Sequence, residues 1–160
     1  MNNNGINVRF AAEKDLPRIN ELRAQVHALH AEGKPEIFKP GFPDALRDYV
    51  FEILIDPNKS IAAAEYDGKI IGFAVLNHIT RPETPFMYER DYLDIDEFGV
   101  DESFRRRGAA SAMIEFIREY AVSQGFSRVE LNVWGFNEDA LAFYEKAGFT
   151  TYRRYMEMKL

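Results

Sequence analysis

FGVDESFRRRGAASAMI, residues 98–114, is the stretch that decides how this chain folds. It opens with an apolar strand end, Phe98-Gly99-Val100, crosses a short polar turn carrying three consecutive arginines, and enters a helix whose first residues are small. Beyond Gly108 the residues Ala110, Met113, Ile114, Ile117 and Ala121 recur at helical spacing and predict one buried stripe. The first turn of such a helix has backbone N–H groups without intrahelical partners and a partial positive charge, so it binds a phosphate mainly through the main chain. Gly108 and Ala110 would let that ligand come close, and Arg105 and Arg107 would add charge-assisted bonds. The spacing alone fits equally well an ordinary helix start with solvated arginines.

Working outward, residues 7–11 alternate as a short strand, and residues 1–5 before them read as a frayed end. Asp15 and Pro17 then open a helix with the stripe Leu16, Ile19, Leu22, Val26 and Leu29. The prolines and glycines of residues 33–41 break it, and a second helix is expected over residues 43–55. Residues 60–66 and 69–77 are apolar runs joined by Asp67-Gly68, a hairpin turn, and a third long strand includes residues 92–100. After the helix that Gly108 opens and Gly125 closes, residues 128–134 alternate as a strand. A last helix spans residues 137–146 and ends at Gly148, and residues 149–160 are expected to supply one or two final strands. The order β, α, α, β, β, β, α, β, α, β predicts an α/β protein, a mixed sheet with helices on its faces.

A chain of 160 residues with 46% hydrophobic and 29% charged residues buries a real core, is not disordered, and is read as one domain over residues 1–160. No apolar run approaches the ~20 residues that cross a bilayer, and MNNNGINVRF lacks the basic and apolar parts of an export signal, so no membrane partner and a cytoplasmic location are expected. With no cysteine, thiol nucleophiles and zinc–thiolate sites are excluded. His27 and His30 stand one turn apart with no third ligand apparent, so no metal is expected. The net charge of -6 argues against a nucleic-acid partner, since three arginines are no broad basic face.

Taken together, Phe98-Gly99-Val100, Arg105-x-x-Gly108-x-Ala110, Gly125 and Asn137-x-x-Ala140-x-x-Phe143-Tyr144-x-x-x-Gly148-Phe149 resemble the acyl-CoA-binding core of the GNAT superfamily of N-acetyltransferases. These motifs cover residues 95–149 and agree in kind, order and spacing, and the elements before them match the family's first strand, helix pair and strand hairpin. The resemblance implies the family's fold, a mixed, mostly antiparallel twisted sheet of six or seven strands with about four helices on its faces. It implies acetyl-CoA as co-substrate, with the pyrophosphate on the amides of Arg105, Arg106, Arg107, Gly108, Ala109 and Ala110. Glycine is more usual in the family at the last of these places. It further implies a bulged strand splayed from its neighbour, with the backbone of Phe98 and Val100 pairing with the pantetheine arm, Asn137 touching the cofactor, and Tyr144 beside the thioester sulfur.

The implied reaction is direct transfer of acetyl to a primary amine in a ternary complex. An amine with a pKa of ~10.4 must first lose a proton, and Glu97, on the splayed strand, is the candidate base. The Val100 N–H would stabilise the oxyanion and Tyr144 would protonate the leaving thiolate. By spacing alone Tyr144 reads as a core aromatic and Asp94, Asp96 and Glu97 as edge charges or an acidic mouth for a cationic amine. By analogy with the family fold, His30, Pro35 and Phe38 line the amine pocket, and the proline-bearing residues 81–90 form a loop over it. A wall of Phe38, Phe42 and Tyr88 would favour a small acceptor, whereas an open cleft would suit a peptide amine; Trp134 reads as structural. A small-molecule amine is the favoured partner, because no added segment grips a polypeptide. The alternatives are a protein or peptide N-acetyltransferase and an acyl-CoA-binding regulatory module without turnover. Edge strands and an aromatic tail through Tyr152 and Tyr155 suit a homodimer.

Overall fold

The alternating and helical patterns form in the computed structural model, which describes residues 5–160; residues 1–4, part of the segment read as frayed, lie outside the described residues. Strand β1 (Ile6–Phe10) leads through a short turn into α1 (Leu16–Gly33), and the irregular join ends at α2 (Asp44–Ile55). Strands β2 (Lys59–Tyr66), β3 (Lys69–Arg81) and β4 (Arg90–Val100) follow, then α3 (Ala109–Ser123), β5 (Val129–Leu131) and α4 (Glu138–Lys146). The sheet runs β1-β2-β3-β4-β5, antiparallel except for the parallel pair β4–β5, whose crossover α3 supplies. The β2–β3 turn has Asp67 and Gly68 at φ 49° and 74°, the left-handed pair that a tight hairpin demands.

Helices α1 and α2 cover one face of the sheet, where Leu16, Ile19, Leu22, Val50 and Ile53 pack on Ile61, Ala63, Phe73 and Val75. On the other face Ile114, Ile117 and Ala121 of α3, with Tyr144 of α4, pack on Ala62, Ala74, Leu76, Leu93 and Ile95. Alternate residues along the strands therefore face opposite sides of the sheet, as a sheet covered on both sides requires. Asp15 does not cap α1 with its side chain. Its carboxylate accepts instead from the Ala12 N–H at 2.8 Å and from Arg9 at 2.7 Å, which holds it below the usual carboxylate range and ties β1 to the helix entry.

The sheet has five strands among the described residues rather than six or seven. The predicted strand over residues 128–134 pairs only at Val129–Leu131, and residues 149–160 form no strand. After Gly148 turns the chain at φ 100°, every residue from Thr150 to Leu160 is exposed. Adjacent Arg153 and Arg154 interrupt the alternation that would give this tail an apolar face. Side chains fasten it: the Tyr152 hydroxyl donates to Glu130 at 2.7 Å, Glu157 pairs with Lys34, and Lys159 reaches Glu36 at 3.4 Å.

Candidate active site

The site grows from a defect in the β3–β4 ladder. Val75 pairs with Glu97 and Leu76 with Ile95, so Asp96 is an extra residue and β4 bulges there. Beyond Ile95↔Leu131 the strands β4 and β5 no longer pair, and the two splay apart. The Asp101 N–H donates to Ile71 of β3 at 2.8 Å. Strand alternation then turns the N–H groups of Phe98 and Val100 the other way, into the opening left by β5.

That opening is one groove of about 930 Å³, bounded by α1, the α1–α2 join, β4, residues 131–134 and α4. It brings together Glu97, Phe98, Val100, Arg105, Arg106, Asn137 and Tyr144 of the sequence-predicted set, with His30 and Phe38 at its far side. At its other end the groove reaches Arg105 and Arg106 in the turn before α3, where Arg106 has φ 61° and Gly108 has φ 93°; Gly108, Ala109 and Ala110 themselves do not line it. The left-handed Gly108 bends the chain so that the helix begins at once with Ala109, which is buried, and Ala110, which is half-buried. Arg107 is not part of this groove. It lies over the Phe104 ring at 5.2 Å and lines a separate pocket of about 270 Å³ with Ile6 and Tyr66.

Asn137 has a structural task as well: its Oδ1 accepts from the Ala140 N–H at 3.2 Å and caps α4. One face of Tyr144 packs edge-on against Phe98 and Phe149, with centroids at 5.9 and 5.7 Å. Burial pushes its hydroxyl up to about 12, so it keeps its proton throughout the neutral range.

The acidic bulge is differentiated by its neighbours. Both oxygens of Glu97 accept from Arg23, at 2.8 Å from Nε and 2.9 Å from Nη2, in a two-bond clamp. Arg23 is buried on α1 and also donates to Asn20 at 2.9 Å and to the Leu46 carbonyl at 2.6 Å. Asp96 and Asp94 make no ion pair among the described residues, and burial raises both, with each carboxylate's acidic neighbour adding to the shift; Asp94 reaches about 6. Arg23 escaped the sequence reading although a signal existed, since it sits among Ile19, Leu22 and Val26 on the apolar stripe. Trp134 lines the groove against Phe38 at 5.1 Å, whereas Tyr88, expected in the wall, is exposed and does not line it. Phe42 does line it. No group of three or more histidine or acidic side chains that could hold a metal occurs among the described residues, and no described helix is long and apolar enough to cross a membrane.

The bulged β4 splays from β5 and feeds a glycine-started helix, the arrangement that the sequence resemblance implies. The acetyltransferase (GNAT) family model matches residues 23–149, and the chain belongs to that family. An uncharacterized N-acetyltransferase of Methanocaldococcus jannaschii is 38% identical over 87 residues, which are 53% of this chain and 36% of that protein, so the chain spans well under two thirds of that relative's length. Among solved structures, a tetramutant of the BH1408 protein from Bacillus halodurans superposes with a TM-score of 0.91 at 26% identity, covering 96% of this chain and 99% of the other. The aminoglycoside N-acetyltransferase AAC(6')-Iy in complex with CoA shares the fold, with a TM-score of 0.75 at 21% identity over 97% of this chain and 94% of that one.

Proposed function

We propose that the protein transfers the acetyl group of acetyl-CoA directly to the primary amine of a small molecule. The observation that carries this reading is the unpaired β4 edge at Phe98 and Val100, which opens into a groove reaching from Arg105 and Arg106, in the turn before α3, to a wall of aromatic side chains. An extended amide chain adds to that edge as a further strand would, and the pyrophosphate is received by the amides at Gly108, Ala109 and Ala110, with Arg105 and Arg106 beside them. The enzyme would lie in the cytoplasm, in keeping with a chain that has no cysteine.

In the reaction the amine nitrogen bonds to the acetyl carbon and the carbon–sulfur bond breaks. The Val100 N–H supports the oxyanion, and the thiolate takes the proton that burial has kept on the Tyr144 hydroxyl; the phenolate regains a proton from solvent as the carboxylate that took the amine proton releases it there. The proton leaving the amine goes to a carboxylate of the β4 bulge. Glu97 is the base that the sequence resemblance suggests, but its clamp with Arg23 makes it a positioning residue in this reading, and Asp96, which lines the groove beside it without an arginine clamp, takes the proton. Calorimetric titration with acetyl-CoA followed by a free-thiol assay across amines tests the proposal. Micromolar binding with amine-dependent thiol release is the expected result, and absence of binding would overturn it.

A further inference from the structure

The acceptor end of the groove is built from rings. His27 and His30 from the end of α1, Phe38 and Phe42 from the α1–α2 join, and Trp134 and Phe136 from the loop after β5 form one connected cluster. Phe38 is its hub, stacked on His30 at 5.2 Å and edge-on to Trp134 at 5.1 Å. Phe136 closes the set against Trp134 at 6.3 Å, over Gly33, where a Cβ would stand 2.3 Å from the ring. Burial, with His27 nearby, holds His30 below the ordinary imidazole value, so this ring adds no cation to the wall at neutral pH.

The charges of the groove are balanced and already largely spent. Its carboxylates are Asp96, Glu97 and Asp139, and its arginines are Arg23, Arg105 and Arg106. Glu97 is held by Arg23, and Asp139 lies in the exposed first turn of α4. Asp96 alone stands on the bulge without an ion pair among the described residues, although Lys59 and Arg23 are near enough to favour its charged form. A single ammonium is therefore met by one carboxylate and by ring faces, an arrangement that attracts cations. A polycation finds no second unpaired carboxylate beside Asp96, because Glu97 is held by Arg23, and its further ammonium groups would approach the arginines. The same 930 Å³ must also hold the pantetheine arm, which leaves room for a compact acceptor.

We propose that the acceptor is a monoamine on an aromatic or compact apolar body, with its ammonium at Asp96 and its body against the Phe38–Trp134 wall. This inference rests on the acetyl-transfer reading. Trp134 is the one tryptophan of the chain, so its emission reports on this wall directly. The experiment titrates the protein, saturated with CoA, with 2-phenylethylamine, spermidine, kanamycin and an alanine-started tetrapeptide, and measures thiol release from acetyl-CoA with the same four. Saturable change of Trp134 emission by 2-phenylethylamine, with kcat/KM about tenfold or more above the other three, is expected. Phe38→Leu should raise KM for 2-phenylethylamine about fivefold and leave KM for acetyl-CoA unchanged, and Asp96→Asn should weaken the emission response about as much. Preference for spermidine, kanamycin or the peptide, or acetyl-CoA binding with no response to 2-phenylethylamine, overturns the monoamine proposal while the transferase reading stands. Failure of acetyl-CoA itself to bind in calorimetry overturns both.

Discussion

Arg23 is 4% exposed and has Glu97 as its ion-pair partner among the described residues, so removing that carboxylate strands a buried cation. Breaking a buried pair from one side typically costs about 3–5 kcal/mol; the carboxamide of Glu97→Gln still accepts a hydrogen bond, and with Glu97 a quarter exposed a cost of about 2 kcal/mol is expected. That corresponds to a drop in Tm of roughly 4–8 °C, and a double-mutant cycle with Arg23→Gln should show strong non-additivity. Additive losses in the cycle would mean that the clamp is not a unit. Tyr144→Phe removes only a hydroxyl and should lower kcat about tenfold to a hundredfold with acetyl-CoA affinity unchanged, measured by thiol release and calorimetry. Gly33→Ala drives a methyl into the Phe136 ring and should raise the amine KM while sparing the acetyl-CoA KM.

Strand β4 carries its acids where the ladder is broken, and the consequences are electrostatic. Asp94 is raised to about 6 by burial and by Asp96. A carboxyl whose folded pKa lies above its unfolded value favours the fold below about pH 3.8 and loses that contribution as the pH climbs through about 6. Asp94→Asn should accordingly be more stable than the parent at pH 7.5, by about 2–4 °C in Tm after allowance for solvent screening, and lose that advantage at pH 4. An advantage that grew toward acid pH would mean that the fold holds Asp94 below its unfolded pKa rather than above it. At the start of α3 the left-handed Gly108 has no substitute among larger residues, and Gly108→Glu should abolish acetyl-CoA binding in calorimetry by strain and by repulsion of the pyrophosphate.

At the scale of the whole molecule the tail is the unspent surface. Tyr155, Met156, Met158 and Leu160 are all nearly fully exposed, and β5 ends the sheet with an unpaired edge. Apolar side chains beside an open strand edge favour pairing with a second copy, so a concentration-dependent dimer is expected in sedimentation velocity. Deleting residues 153–160 should make the protein monomeric at the same concentrations; an unchanged dimer would place the contact elsewhere.

The sequence by itself determined the order of the elements, the Asp67-Gly68 hairpin, the helix that Gly108 starts and the aromatic helix that ends at Gly148, because each is written in local periodicity and in residues that permit one backbone geometry. The twelve residues of the tail, 149–160, escaped this reading, since aromatic and β-branched content predicts strand whether or not an edge is there to pair with. The division of labour inside the site was likewise out of reach. Nothing local distinguishes Glu97 from Asp96: one is clamped by an arginine and the other is not only because α1, 74 residues earlier in the chain, lays Arg23 across the sheet at one of them. The same holds for Trp134, which joins the acceptor wall because the α1–α2 join folds Phe38 onto it. Tertiary structure decided these matters, since burial and ion pairing depend on which distant side chains share a dielectric and a distance, and neither is a property of neighbours in sequence.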